Sequence, residues 1–171
     1  MANMFPHLFT PGKIGNLEIK NRICKAPQSS GMNNKDGTVS ERAIRYYRDQ
    51  AAGGTGMIIV EYAYVDDIGA KSAHCHLGIS NNEHIPGLAW LAENIREMGA
   101  VPAIQIEHCG RQKFLGTQPI KAPSAIPWPK LYAQHGLEAV PQELTIPEIH
   151  EIVKCFGDAA LRAKIAGFEL V

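Results

Sequence analysis

No apolar run in this 171-residue sequence approaches the roughly 20 residues that a membrane helix needs. Net charge is also missing: 17 lysines and arginines balance 17 aspartates and glutamates, which argues against a basic footprint for nucleic acid or acidic lipid. The four cysteines, Cys24, Cys75, Cys109 and Cys155, are scattered without a C-x-x-C pair, so neither a zinc ribbon nor a secreted disulfide framework is indicated. Met1 to Thr10 lacks the basic stretch followed by an apolar one that marks a secretory leader. There is no G-x-G-x-x-G turn of the kind a self-contained doubly wound sheet would be expected to carry. These absences lead to the expectation of a soluble, cytoplasmic protein with reduced thiols. Its expected partner is a small molecule, with no nucleic acid and no membrane.

What the sequence does contain is an alternation of strand and helix patterns. Lys13 to Ile19 reads as a hairpin turning at Gly15-Asn16. A buried strand around Arg22 to Ala26 ends at Pro27, and Ser40 then caps a helix from Glu41 to about Ala52 that places Ala43, Ile44, Tyr47 and Ala51 on one face. Met57-Ile58-Ile59-Val60 is apolar throughout, as befits a strand covered on both faces. A second helix starts near Ile85 with Pro86 in its first turn and stops at Gly99. Val101 to Glu107 is the third strand, followed by a long loop of the length usually reserved for function. Thr145 and Glu148 form a capping-box pattern ahead of a helix whose apolar stripe is Ile149, Ile152, Val153, Phe156, Ala160 and Ala163. Gly167 ends it, and Phe168 to Val171 begins a fourth strand.

Such alternation demands right-handed crossovers and a parallel sheet in the order 1-2-3-4, with helices on one face and the hairpin closing the bottom. A (β/α)8 barrel takes about 250 residues. The expected fold is therefore α/β, with residues 1–171 forming the N-terminal part of a TIM barrel (strands one to four, helices one to three) that looks truncated. Ile58, Val60, Ile104 and Ile106 are expected to face inward, where an unclosed barrel would leave them open to water.

The strand ending Gln105-Ile106-Glu107-His108-Cys109-Gly110-Arg111 sets an amide, an imidazole and a guanidinium at its carboxyl end, the face where such barrels place their sites. On the residues alone, Gln105 is equally a strand-end group satisfying a loop. His108 reads either as bonding loop backbone and Arg111 as pairing with a carboxylate such as Glu61 or Glu107, or both as touching a ligand. His74 and His76 have the spacing of a metal pair on an extended segment, although no fixed carboxylate accompanies them. Trp128 and Tyr132 suit either a ligand cover or the long loop's own small core.

The Gln105 motif resembles the Gln-x-x-His-x-Gly-Arg segment of the Old Yellow Enzyme family of flavin-dependent oxidoreductases. Three further segments fall in register with that family: Leu8 to Pro11 with Ile19 to Pro27; Gly53 to Glu61; and Ala122-Pro123-Ser124 with Glu143 to Phe168. The resemblance implies FMN as cofactor and NAD(P)H as hydride donor, with transfer to an activated alkene or another acceptor. It also implies that Ala26, Pro27, Gln28 and Ser29 lie along the flavin, that Tyr62 contributes a backbone contact, and that Gln105 bonds the pyrimidine edge. The family's catalytic proton donor follows the fourth strand, so the catalytic residue is unknown here. The expected partner is a second copy or a complementary C-terminal half, and the chain alone is expected to be inactive. The alternative is a non-catalytic half-barrel interaction module.

Overall fold

The computed structural model describes residues 4–113, 115, 119–136 and 138–171. It begins with the hairpin of β1 (Gly12–Ile14) and β2 (Leu17–Ile19), antiparallel, with Ile14 opposite Leu17 and Gly15 at a φ of +56° in the turn. Asn21, just after the hairpin, donates through its amide to Gly54 O at the end where the sheet begins. Then come β3 (Cys24–Lys25), α1 (Glu41–Ala52), β4 (Met57–Tyr64), α2 (Ile85–Glu97) and β5 (Val101–Glu107). Within the long segment that follows lie β6 (Lys121–Ala122), α3 (Pro129–Gln134) and β7 (Gln142–Glu143), and α4 (Ile146–Ile165) completes the set.

β3, β4 and β5 form a parallel sheet in that order, with Lys25 opposite Ile58 and Val60 opposite Ile104. The end of the chain joins β5: Glu169 N donates to Pro102 O and Ile104 N to Leu170 O, so the expected strand order holds. One core cluster unites Ile44, Tyr47 and Ala51 of α1, Leu88, Leu91 and Ile95 of α2, and Ala159 and Ala163 of α4 with the sheet. Each fully buried aliphatic side chain in it stabilises the fold by about 1.5–3 kcal/mol. The helices therefore share one face.

Several expectations need correction. Ile58, Val60 and Ile104 are buried under the helices rather than facing inward, and Ile106 packs against the same core. Because side chains alternate along a strand, the opposite face receives Ile59, Ala103 and Gln105. β4 runs four residues past Val60, with a register shift between Val60 and Ala63 that lets Glu61 and Tyr62 into the strand. β3 is two residues long rather than five. The segment after β5 is not a bare loop: β6 and β7 pair in parallel, Lys121 opposite Gln142, although residues 114, 116–118 and 137 of that stretch lie outside the described ones.

The caps match the sequence pattern. Ser40 accepts from Ala43 N, and its hydroxyl donates to Met32 O. Thr145 and Glu148 complete the reciprocal box, and Gly167 ends α4 at a φ of +89°. The expected stripe on α4 faces the core at Ala163 and Phe156, with Ile149, Ile152 and Ala160 half-buried, and departs from expectation at Val153. Val153 is 64% exposed and lies with Ile146, Leu161 and Ile165 on an uncovered apolar face, while Ala159 and Ala163 carry the packing.

Candidate functional site

Parallel pairing brings the residues after β3, the end of β4 and the end of β5 to one rim of the sheet. Glu61, fully buried in β4, holds two of these pieces together. Its carboxylate accepts from Ser30 N at 3.0 Å and from Ser30 Oγ at 2.5 Å, and Met32 N donates in turn to Ser30 Oγ. Tyr47 of α1 donates its hydroxyl hydrogen to Glu61 Oε1 at 3.2 Å and accepts from Glu61 N at 3.0 Å. A carboxylate without these donors would carry a large desolvation penalty at this depth. The loop leaving β3 is thus pinned to the strand and, through the strand, to the helix.

Ala26, Gln28 and Ser29 are exposed along this rim and Pro27 is half-buried. The backbone amides of Gln28 and Ser29 have no hydrogen-bond acceptor among the described residues. Gln105 is exposed on the inner face of β5, and its side-chain amide also has no partner among them. The reading of Gln105 as a group satisfying a loop is therefore not what the geometry shows. Tyr62 is half-buried, and its carbonyl accepts from His76 Nε2 at 3.0 Å.

His76 is buried, in T-shaped contact with the Tyr62 and Tyr64 rings at 4.8 and 5.3 Å between centroids. Burial lowers its pKa to about 4, so the imidazole is neutral. Glu107 Oε1 lies 3.4 Å from His76 Nε2 and has no hydrogen bond among the described residues, and burial raises this carboxyl to about 7. Both shifts favour neutral forms, so the contact is not an ion pair.

The remaining candidates have structural partners. His108 Nδ1 accepts from Gly110 N at 3.1 Å, which realises its loop-backbone reading, and burial lowers its pKa. Arg111 pairs with neither Glu61 nor Glu107. Its guanidinium reaches Ile126 O and stacks 5.3 Å from the centroid of the Trp128 ring. Tyr132 is buried and donates to Arg111 O at 2.9 Å, so it serves the loop's own core. His74 and His76 diverge, because Cys75 between them has a φ of +56° and the segment is not extended: His74 is exposed while His76 turns inward. Among the described residues no group of three or more His, Cys, Asp or Glu side chains is placed to hold a metal ion. The Cys109 thiol is pushed up to about 12 by burial and is inert near neutrality. A cleft of about 340 Å³ beside His108 is lined by Asp66, Lys113, Lys121 and Glu148.

Ser30 and Tyr47 are not legible as site residues, and His76 stands out only as half of a metal pair, not as the donor to Tyr62 O. For Tyr47 a signal did exist: Glu61 closes an apolar strand and requires a buried donor, and Tyr47 is the hydroxyl on the buried face of the helix before it.

Comparison with known proteins gives a consistent picture. The sequence profile described as "NADH:flavin oxidoreductase / NADH oxidase family" matches residues 7–171. An NADH oxidase of Thermoanaerobacter brockii is 44% identical over 169 residues, covering 96% of this chain and 25% of the relative. An NADPH dehydrogenase of Listeria monocytogenes is 38% identical over 165 residues, covering 96% of this chain and 46% of the relative. The structure of the old yellow enzyme from Trypanosoma cruzi superposes with a TM-score of 0.83 at 27% identity, covering 98% of this chain and 51% of that one. The chain thus spans between a quarter and about half the length of these relatives.

Proposed function

We propose that this chain, which belongs to the NADH:flavin oxidoreductase / NADH oxidase family, carries the part of an FMN site that receives the isoalloxazine ring. The observation that supports this most is the set of unpaired polar groups on one rim: the Gln105 amide and the backbone amides of Gln28 and Ser29. A carboxamide offers donors and an acceptor together, which suits a ring edge that presents both. Ala26, Pro27, Gln28 and Ser29 line the ring, and Tyr62 adds a backbone contact from β4. Glu61, Ser30 and Tyr47 fix these groups in place without touching the ligand. When bound, FMN supplies hydride transfer from NAD(P)H to an activated alkene or another acceptor, while this chain orients it and excludes water. The names of the relatives, an NADH oxidase and an NADPH dehydrogenase, support a nicotinamide donor.

Neutral contacts to a ring are weaker than the charge-assisted contacts that a flavin phosphate takes. Full affinity is accordingly assigned to an assembly in which a second copy or a complementary C-terminal barrel half covers the open sheet, and the chain alone is proposed to be inactive. The uncovered apolar face of α4 favours a second reading, a non-catalytic half-barrel that serves as an interaction module. The two readings separate on flavin binding. The chain is mixed with a separately produced C-terminal half from a family member and titrated with FMN, following absorbance and fluorescence quenching. The expected result is a yellow complex that Gln105→Leu weakens by about 1–3 kcal/mol. Equal FMN affinity of wild type and variant, with folding intact, removes Gln105 from the cofactor site; pairing of the halves without flavin binding leaves the interaction module.

A further inference from the structure

The peptide of Tyr62 is held from behind by one shared hydrogen. His76 Nδ1 faces the Ser72 amide at 3.4 Å and accepts from it, so the ring hydrogen sits on Nε2. That hydrogen is donated to Tyr62 O at 3.0 Å, yet Glu107 Oε1 lies only 3.4 Å from the same nitrogen. The Tyr62 and Tyr64 rings meet the imidazole in T-shaped contacts, which fix its plane. One N–H thus stands between two acceptors, a carbonyl from β4 and a buried carboxyl oxygen from β5 with no hydrogen-bond partner among the described residues.

We propose that His76 and Glu107 form a proton-controlled latch on the Tyr62 peptide: a protonated Glu107 leaves the His76 Nε2–H on Tyr62 O, and loss of that proton draws the N–H to Oε1 and releases the carbonyl. The chemistry favours the exchange because an N–H bond to a carboxylate is roughly twice as strong as one to a neutral oxygen. Glu107 titrates in the right range, near 7, while His76 stays neutral down to about 4. Besides the Tyr62 and Tyr64 phenols, of which burial holds Tyr64 protonated, the charged and titratable groups around the pair are Lys71, which opposes a charged His76, and Cys109, whose thiol feels Glu107. Asp66 and Lys113 act on the adjoining His108. No cation is paired with Glu107 among the described residues, and burial is what favours its neutral form. Both members are positioning residues. Their bearing on flavin affinity rests on the reading of Tyr62 as a flavin contact, whereas the latch itself does not.

The test is nitrogen-15 NMR of labelled histidine together with carbon-13 NMR of the Tyr62 carbonyl, in the 171-residue chain, from about pH 5 to about pH 9. The expected result is a neutral His76 throughout, with its Nε2 signal and the Tyr62 carbonyl shifting together at a common midpoint near 7. Glu107→Gln should abolish the joint transition. A Tyr62 carbonyl that does not respond to pH in the wild type overturns the latch without recourse to any variant, as does a joint transition that survives Glu107→Gln. FMN titration by fluorescence quenching of the chain assembled with the C-terminal half supplies the second readout, with a pH dependence of affinity of roughly fivefold or more in wild type and none in Glu107→Gln. In that assembly, a joint transition accompanied by FMN binding that does not vary with pH upholds the latch and rejects Tyr62 as a flavin contact.

Discussion

Burial moves His76 and Glu107 in opposite directions, and each shift has its own consequence for folding. Glu107 rises from 4.5 to about 7, so its contribution is fully present below 4.5 and is lost as pH climbs through about 7. His76 falls from 6.5 to about 4, so its contribution is present above 6.5 and is lost as pH drops through about 4. Glu107→Gln removes the first term. It should stabilise the protein by about 1–2 kcal/mol above pH 7, allowing for partial solvent screening, and change little near pH 5. Urea unfolding of both proteins at acidic and alkaline pH measures this, and a difference independent of pH would mean that Glu107 is not desolvated in the fold. At this scale the sequence exposed the chemistry-bearing residues but not their partners. Gln105 and Glu61 stand out because polar groups close apolar strands. Of the alternatives for Arg111, the carboxylate partner that charge complementarity suggests is not the one it takes: the folded loop offers it the Trp128 ring and a carbonyl.

Among the elements, those with local causes were legible. The hairpin, α1, α2, β5 and α4 follow from turn residues, caps and periodicity, and their observed bounds lie close to the expected ones. The extension of β4 was not legible, since it depends on a register shift against β5 and on Tyr47 satisfying Glu61. The pairing of β6 with β7 was hidden for a related reason: two-residue strands carry no alternation to read. The edge of the α4 stripe is not legible, because a wide apolar stripe does not say how far the sheet will cover it: Phe156 and Ala163 meet the core and Val153 does not. The cap of α4 gives a test at this scale. Thr145→Ala removes the acceptor for Glu148 N and the hydroxyl bonded to Glu148 Oε2, and should cost about 1 kcal/mol. The expected signature is a lower urea midpoint with an unchanged slope; an unchanged midpoint would mean that the Lys121–Glu148 pair holds this end by itself.

For the whole molecule, strand order and the placement of helices on one face were readable, because right-handed crossovers leave few alternatives. What covers the open faces was not, since it depends on what lies beside the sheet. The apolar face of α4, with Ile146, Val153, Leu161 and Ile165 each more than half exposed, is expected to drive association. Sedimentation velocity should show concentration-dependent dimers or larger species, which the paired change Leu161→Lys and Ile165→Lys reduces; an ideal monomer at all concentrations would contradict this. The buried carboxylate of Glu61 bears on a different property, the order in which the chain assembles. Its partners are 14 and 31 residues away in sequence, so β3, α1 and β4 can close upon it before any contact with the distant end of the chain is made. Early closure makes this unit the natural folding nucleus. Tyr47→Phe should then slow refolding while leaving the unfolding rate nearly unchanged, an asymmetry that the two arms of a chevron plot measure directly.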